Sequence, residues 1–426
     1  MLNSTALLTD HYELTMVRAA MRSGTAFRPS IFELFPRRLP TGRRYGVVAG
    51  VGRTLEAIKA FTFDEATVGW LLEHDVVDQV LADWLAGYRF GGSIWGYAEG
   101  EIYFPGSPLM IVEGSFAEAV VLETVLLSIY NYDSAVASAA SRMTAMAGER
   151  PCIEMGSRRT NEIAAVAAAR AAYIAGFAAT SNLEAGRRYG VPTRGTAAHS
   201  FTLLHSSEAE AFAAQLGALG EDTTLLVDTY DIEAAVRTGG EVRALLDSLG
   251  ATKTRILVTS DLDEWQIAAL RGAPVDGFGV GTSLVTGSGA PTCGFVFKLV
   301  ARADSDEPGA PLVPVAKKSV NKTSIGGRKF ALRRLDARGK AEAEVIGIGA
   351  PPDGDANDRP LLVELVRDGV IVGAEPLAAA QQRHARARAE LPLSASKMSK
   401  GEAAIPTLML DESGVATENP YARSEA

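Results

Sequence analysis

The sequence predicts an α/β protein in which parallel strands alternate with helices. Short apolar segments at 223–231, 254–261 and 274–282 are typical of buried strands, and each ends in polar or glycine residues. The segments between them, 231–250 and 262–273, have the composition of helices. Strand–helix–strand alternation implies parallel pairing, which places ligand-binding groups at the carboxyl ends of the strands.

Two helices are predicted upstream of these strands. Residues 116–146 form one long helix candidate, because apolar residues recur at three- and four-residue spacing. Residues 160–176 are rich in helix-forming residues, and Gly176 is positioned to end that helix. Both predicted helices therefore precede the alternating strands and helices in the sequence.

The C-terminal part of the sequence predicts a different pattern. Polar segments rich in proline and glycine at 302–312 and 349–360 are predicted loops, and the second precedes a β-like hairpin. After about residue 393 the hydrophobic periodicity is weak, which predicts a partly loose tail. The sequence contains no internal repeat and no low-complexity tract.

Composition excludes several classes of protein. The 426 residues correspond to two or three domains, and 47% apolar with 22% charged residues is a globular composition. The net charge of −9 argues against a nucleic-acid binder with a broad basic face. Cys152 and Cys293 are too few for a disulfide framework or a cysteine-based zinc module. Without a membrane-span pattern or signal peptide, we expect a soluble, cytoplasmic protein that contacts no membrane.

His199 is the histidine with the strongest case for a chemical role. It lies in the segment GVPTRGTAAHSF, where small residues leave room for a ligand, although a structural histidine is an equally good interpretation. His205 follows six residues later, which is not the spacing of a helical metal-binding pair.

The segment GFGVGTSL (277–284) is a candidate phosphate-binding loop. Its Gly279, Gly281 and Thr282 follow a predicted strand, and the backbone N–H groups of such a loop can bind a phosphate. It matches neither the Walker sequence nor a dinucleotide fingerprint, and a tight turn without ligand is the alternative.

Carboxylates follow two of the predicted strands. Asp228 and Asp261 can bind Mg²⁺ or ribose hydroxyls at the strand ends. For Asp231 and Asp263 the better interpretation is capping of the next helix.

Basic residues form two candidate anion sites in this acidic chain. Arg158 and Arg159 can bind a carboxylate or phosphate, and a solvated basic pair is the alternative. The second site is a basic cluster, for which a solvated face is an equally good interpretation; it comprises Lys317, Lys318, Lys322, Arg328 and Lys329.

The motifs as an ordered set resemble the nicotinate phosphoribosyltransferase family of type II phosphoribosyltransferases. The resemblance runs from about residue 7 to 334 through TDHYELT, FELFPRRLP, EGSFAEAVVLET, MGSRRTNE, GTAAHSF, VDTYD, GFGVGTSL and VAKKSVNKTSIGGRK. It implies synthesis of nicotinate mononucleotide and pyrophosphate from nicotinate and 5-phosphoribosyl-1-pyrophosphate. It also implies coupled ATP hydrolysis, Mg²⁺ as cofactor and a place in NAD salvage.

The resemblance also implies a fold and an assembly. The family has an irregular TIM-like α/β barrel, here residues 116–330, and a second α/β domain built from both chain ends, here 1–115 with 331–426. Its members form head-to-tail homodimers whose active sites borrow residues from the partner subunit.

Site roles follow from the same resemblance. His199 matches the histidine that ATP phosphorylates transiently, and Tyr12 matches an aromatic residue that stacks on the pyridine ring across the dimer interface. Asp228 and Asp261 match acidic residues of the catalytic centre. The remaining matches are substrate or phosphate contacts: Arg158, Ser181, Thr259, Gly279, Gly281 and Thr282.

Three positions bear on the choice of substrate. The resemblance implies that Ser181 stands at a position where nicotinamide-using relatives share an aspartate. Because serine brings no carboxylate to this position, it favours nicotinate over nicotinamide. Residues 256–261 read Ile-Leu-Val-Thr-Ser-Asp where the family pattern resembles Arg-x-Asp-Ser-Gly-Asp. Met155 stands where phenylalanine is common. The alternatives are a relative that uses nicotinamide or quinolinate, and a non-catalytic metabolite-binding regulator.

Overall fold

The structure, a computed structural model, describes residues 4–228, 232–307, 309–316 and 324–421; the side chains of 199, 228 and 232–236 lie outside the description. The chain divides into two compact units. The terminal unit combines Met1–Ser134 with Thr292–Ala426, and the central unit is Ala135–Pro291. A composite unit built from both chain ends is therefore present, whereas the central segment predicted from the sequence, 116–330, extends beyond the central unit at both ends.

The described residues of the terminal unit form three sheets. Their strands are β1 (Pro29–Pro36), β2 (Gly46–Val47), β3 (Ser93–Tyr97), β4 (Ile102–Tyr103), β5 (Met110–Ser115), β11 (Phe295–Ala303), β12 (Leu312–Pro314), β13 (Lys329–Leu335), β14 (Ala341–Ile348), β15 (Arg359–Pro360), β16 (Leu362–Arg367), β17 (Val370–Ile371), β18 (Thr407–Leu410) and β19 (Ala416–Thr417). A seven-stranded antiparallel sheet has the order β12-β11-β1-β5-β3-β16-β17, a five-stranded sheet has the order β15-β13-β14-β18-β19, and β2 pairs with β4.

Helices accompany these sheets, and one helix crosses the boundary between the units. Short 3₁₀ turns occur at Ala6–Leu8 and Leu393–Ser396. The α-helices are α1 (His11–Arg22), α2 (Val51–Lys59), α3 (Glu65–Glu73), α4 (Gln79–Ala86), α5 (Phe116–Val120), the boundary-crossing α6 (Glu123–Ala147) and α14 (Leu377–Glu390).

The central unit has a five-stranded parallel sheet in the order β7-β6-β10-β9-β8. Its strands are β6 (Cys152–Glu154), β7 (Ala179–Thr180), β8 (Thr224–Asp228), β9 (Arg255–Thr259) and β10 (Gly277–Val280). Its helices are α7 (Glu162–Ile174), α8 (Leu183–Tyr189), α9 (His199–Thr202), α10 (Glu208–Leu219), α11 (Ile232–Ser248), α12 (Glu264–Ala269) with the 3₁₀ turn Leu270–Gly272, and α13 (Thr282–Val285).

The α/β class and the parallel pairing are confirmed, but the barrel is not. Within the described residues the parallel sheet is open, because β7 and β8 each have a single neighbouring strand. A barrel requires every strand to pair on both sides, so the predicted closure is not observed.

The predicted helix 116–146 is two helices, which corrects the sequence interpretation. α5 begins with a capping box between Ser115 and Glu118, and it ends at Val120 with Val121 as its C-cap. The N–H and hydroxyl of Thr124 both donate to Glu13 Oε1, at 2.9 and 2.7 Å. The Glu13 carboxylate of α1 therefore supplies an acceptor for the first turn of α6, and a new helix begins there.

The C-terminal tail is more regular than its weak periodicity predicted. Residues Thr407–Leu410 form β18, which pairs in parallel with β14. Met409 is the one buried residue of this strand, so its hydrophobic pattern is too short to be distinctive. The predicted hairpin is confirmed in β16 and β17, and Asp368 and Gly369 at its turn have φ of 45° and 78°, as a tight two-residue turn requires. In the described chain, no helix has the length and apolar character that crossing a membrane requires.

Candidate active site

The carboxyl edge of the parallel sheet brings most of the predicted site residues together. β6, β7, β9 and β10 end at Glu154, Thr180, Thr259 and Val280. Because the strands are parallel, the segments that follow them leave the sheet at the same edge. The residues that these segments carry are Arg158, Ser181, Asp261, Gly281 and Thr282.

Asp261 contacts the predicted phosphate loop. The hydroxyl of Thr282 donates to Asp261 Oδ1 at 3.3 Å, and the hydroxyl of Ser283 lies 3.5 Å from the Asp261 carbonyl oxygen. Ser260 and Asp261 have φ of 124° and 38°, a backbone region that residues other than glycine rarely adopt. This turn leaves the Asp261 carboxylate exposed beside the loop.

Strand β10, which leads into the predicted phosphate loop, has room only for glycine at position 279. A Cβ atom on Gly279 would lie 2.7 Å from Cγ2 of Thr259 and 2.8 Å from Sδ of Met155. Gly281 follows and precedes α13, whose first N–H groups have no acceptor within the helix. Gly279 therefore lets β10 pack closely against its neighbours, while Gly281 and Thr282 present backbone at the edge.

Glu154 is a buried carboxylate at the same edge, and sequence reasoning did not select it. Its side chain accepts hydrogen bonds from the Thr180 hydroxyl and from the N–H of Gly156. Burial raises the pKa of the Glu154 carboxyl above its ordinary value, and these two hydrogen bonds act in the opposite direction. The available signal was a single carboxylate that ends an apolar strand two residues before the GSRR segment.

Arg158 and Ser181 are exposed on neighbouring segments. The N–H of Ser181 donates to the backbone oxygen of Glu154 at 2.8 Å, which ties the Ser181 segment to β6. Their side chains are therefore accessible to a ligand, while the backbone of the Ser181 segment is fixed.

Two predicted site residues have side chains outside the described residues. Asp228 is the last residue of β8 and pairs in register with Thr259 of β9. His199 is the first residue of α9. Asp231 lies outside the described residues altogether.

Tyr12 belongs to α1 of the terminal unit and is 44% exposed. Partial burial raises the pKa of its phenol to about 12, and the negative charges of Glu123 and Glu13 act in the same direction. The ring is therefore neutral at physiological pH and open to a further contact.

Two places depart from the family pattern: the segment 256–261, which begins within β9, and Met155, which directly follows β6. Ile256 is fully buried within β9, and Arg255 before it is exposed at the start of the strand. Only Thr259, Ser260 and Asp261 of the 256–261 segment reach the carboxyl edge. Met155 packs on the core cluster of Ile153, Ala179 and Leu257, so it provides an apolar contact beside Gly279.

Arg328 and Lys329, the two described residues of the basic cluster, are both paired with carboxylates. Arg328 pairs with Glu113 at 2.6 Å and stacks 4.4 Å from the Phe330 ring centre. Lys329 is buried and pairs with Glu33 at 2.6 Å, so the expectation that it binds an anion is wrong. Lys317, Lys318 and Lys322 lie outside the described residues.

Comparison with known proteins gives consistent results. A family model for the nicotinate phosphoribosyltransferase N-terminal domain matches residues 7–131. The chain is 55% identical to nicotinate phosphoribosyltransferase pncB1 of Mycobacterium tuberculosis, with 94% of each protein covered. It is 35% identical to nicotinate phosphoribosyltransferase of Bacillus subtilis, over 78% of this chain and 74% of that protein. The crystal structure of human nicotinic acid phosphoribosyltransferase has the same fold, with a TM-score of 0.79 at 22% identity over 95% of this chain and 98% of that one.

Proposed function

The chain belongs to the nicotinate phosphoribosyltransferase family, and from this premise we propose that it joins nicotinate to 5-phosphoribosyl-1-pyrophosphate. The products are nicotinate mononucleotide and pyrophosphate, and the reaction serves NAD salvage. The observation that carries this proposal is the 55% identity to a curated relative over 94% of both proteins. The assembly of predicted site residues at one sheet edge supports it.

Each part of the site has a role in this reaction. Displacement of pyrophosphate from the ribose builds positive charge on the sugar, which the exposed carboxylate of Asp261 is suited to stabilise, together with Asp228. Gly279, Gly281 and Thr282 form the loop that receives the 5′-phosphate, and Thr259 contacts the substrate beside it. Arg158 binds the anionic substrate, and Ser181 accommodates the carboxylate of nicotinate. The ring nitrogen is already nucleophilic, so positioning supplies much of the remaining rate enhancement.

Mg²⁺ and ATP complete the proposed reaction. Among the described residues, no cluster of three or more metal-binding side chains occurs. Mg²⁺ sites in such enzymes use one or two carboxylates together with substrate phosphates, and the exposed Asp261 beside Thr282 fits that requirement. When bound, Mg²⁺ neutralises charge on the leaving pyrophosphate. We assign transient phosphorylation by ATP to His199, because imidazole accepts and loses charge near neutral pH.

The family's assembly is part of the same proposal. We propose a homodimer in which Tyr12 of one subunit stacks on the pyridine ring bound by its partner; the exposure of the Tyr12 ring supports this role. We also propose that the five parallel strands of the central unit, which form an open sheet within the described residues, correspond to part of the family's irregular TIM-like barrel.

A product assay tests the proposed function. Purified protein is incubated with 5-phosphoribosyl-1-pyrophosphate, Mg²⁺ and one pyridine acid or amide, with and without ATP, and mononucleotides are separated by chromatography. We expect nicotinate mononucleotide from nicotinate and little product from nicotinamide or quinolinate. His199→Ala is expected to abolish the stimulation by ATP. Absence of product from all three substrates would refute the proposed reaction and leave the metabolite-binding regulator as the alternative.

A further inference from the structure

Glu154 places a carboxyl group at a buried position where an apolar side chain would have a lower free-energy cost. It is 0% exposed at the end of β6, and transfer of a carboxyl group from water to such an environment is unfavourable unless hydrogen bonds compensate. Both carboxyl oxygens have partners: Oε1 accepts from the N–H of Gly156, and Oε2 accepts from the hydroxyl of Thr180. Each of the two carboxyl oxygens of Glu154 is therefore hydrogen-bonded to a different partner.

The two partners belong to different loops of the candidate site. Gly156 lies in the loop that carries Arg158, and Thr180 directly precedes Ser181. The Thr180 hydroxyl also accepts from the N–H of Asn182 at 2.9 Å. One buried carboxylate thus links the loop after β6 to the loop after β7.

Asn182 reinforces the link from the other side. Its Nδ2 donates to the Ser157 hydroxyl at 3.0 Å, and its Oδ1 accepts from the N–H of Ala185 at 2.9 Å, which caps α8. Two side chains, Glu154 and Asn182, therefore cross-link the two loops and connect them to the start of a helix.

The tight packing around Gly156 fixes the loop against the phosphate loop as well. A Cβ atom at this position would lie 2.3 Å from Cγ1 of Val285, 3.1 Å from Glu154 Oε1 and 3.1 Å from the Gly281 backbone oxygen. A residue with a side chain would therefore displace Val285 or the backbone at Gly281. Glycine allows this close packing while its N–H donates to the Glu154 carboxyl group.

We propose that Glu154 is a positioning residue that sets the spacing between Arg158 and Ser181 and thereby tunes recognition of the nicotinate carboxylate. This inference rests on the proposed function, because it assigns those two residues to the pyridine acid. Glu154 acts through the loops and does not touch the substrate. Its removal therefore weakens nicotinate binding more than it alters the bond-making step.

The kinetic test compares Glu154→Ala, Glu154→Gln and Thr180→Val with Glu264→Gln as the matched control. Glu264 is also a buried carboxylate of the central unit, bonded to Arg142 at 3.1 Å and to the Ser288 hydroxyl at 2.5 Å. We expect Glu154→Ala to raise the KM for nicotinate about ten-fold or more, with the KM for 5-phosphoribosyl-1-pyrophosphate and kcat changed about two-fold at most. Glu154→Gln keeps an acceptor for Gly156 and is expected to recover most of the loss.

Hydrogen exchange provides a readout that does not depend on activity. In Glu154→Ala, amides in 155–158 and 180–185 are expected to exchange at least about ten-fold faster, while α11 and β8 exchange as in the wild type. Unchanged exchange in both loops would overturn the inference even if the enzyme is inactive on nicotinate. Faster exchange across the whole central unit, or equal losses in kcat and both KM values, would assign Glu154 to folding alone.

Discussion

At the residue scale, we propose that Ser181 determines the choice between a pyridine acid and its amide. Its side chain is exposed and its N–H is fixed to β6 by the Glu154 backbone oxygen at 2.8 Å, so a substitution changes charge without moving the loop. Ser181→Asp places a carboxylate where the nicotinate carboxylate is proposed to bind. We expect kcat/KM for nicotinate to fall about ten-fold or more, because like charges repel.

The control for this substitution is Ser181→Ala, which removes the hydroxyl and adds no charge. Steady-state kinetics with nicotinate and nicotinamide should show a much smaller loss for alanine than for aspartate. Equal losses from both variants would refute the charge argument and assign the hydroxyl itself a binding role.

His384 of α14 makes stability depend on pH. The side chain is buried, and burial with the charge of Arg388 lowers its pKa from 6.5 to about 3. Below pH 6.5 the unfolded chain binds a proton that the folded chain excludes, so protonation favours unfolding as the pH falls toward 3. At pH 5 this histidine should cost about 2 kcal/mol of the free energy of unfolding relative to neutral pH.

Denaturant titrations at pH 7.5 and pH 5 measure this effect. His384→Gln should reduce the loss of stability between the two pH values, whereas His74→Gln, at an exposed histidine, should leave it unchanged. A pH dependence identical in the wild type and in His384→Gln would contradict the assignment, because other buried groups would then account for it.

At the element scale, two aspartates separated by a single residue, Leu262, serve different purposes. Asp263 caps α12: its side chain accepts from the N–H groups of Trp265 and Gln266, and Gln266 completes a capping box. Asp261 instead contacts Thr282 at the phosphate loop. We expect Asp263→Ala to lower the free energy of unfolding by about 1 kcal/mol with kcat/KM nearly unchanged, and Asp261→Ala to lower kcat about 100-fold or more with little loss of stability.

Urea denaturation and product assays on the two variants separate these roles. Asp263→Asn is the conservative control, since asparagine is an equally good capping residue. A large loss of activity in Asp263→Ala, with the helix content unchanged, would show that the capping interpretation is incomplete.

Local sequence patterns predicted the helices and strands. The features that these patterns did not predict depend on contacts between residues far apart in the sequence. Strand ends, parallel pairing and the Asp263 cap follow from periodicity and capping preferences within a short window. The break between α5 and α6 depends on Glu13, which lies 111 residues before Thr124. Glu154 acquires its partner Thr180 from 26 residues away, so no local motif indicates that this carboxylate is buried and bonded. The sequence therefore predicted the sheet edge at which these residues lie, but the contacts between the loops at that edge follow only from the fold.

At the scale of the whole molecule, net charge opposes the proposed substrates. The chain carries a net charge of −9, and nicotinate, 5-phosphoribosyl-1-pyrophosphate and ATP are all anions. Long-range attraction therefore contributes little to binding, and local cations and backbone N–H groups must supply it. Among the described residues, Arg328 and Lys329 are already paired with Glu113 and Glu33, and we propose that Arg158 and the loop at Gly281 take this role.

The proposed sharing of sites between subunits predicts that two variants, each impaired in ATP-stimulated activity, restore each other. Tyr12 is 44% exposed, and the neighbouring Leu7 and Leu8 are 51% and 45% exposed, which is consistent with an interaction surface near the start of α1. Tyr12→Ala and His199→Ala each damage one contributor to a site. When the two are mixed and allowed to exchange subunits, half of the dimers should be mixed, and each mixed dimer should regain one intact site. Activity should then reach about one quarter of the wild-type value, measured after incubation at equal concentrations. No recovery, with subunit exchange verified by native mass spectrometry, would place Tyr12 and His199 in the same subunit's site.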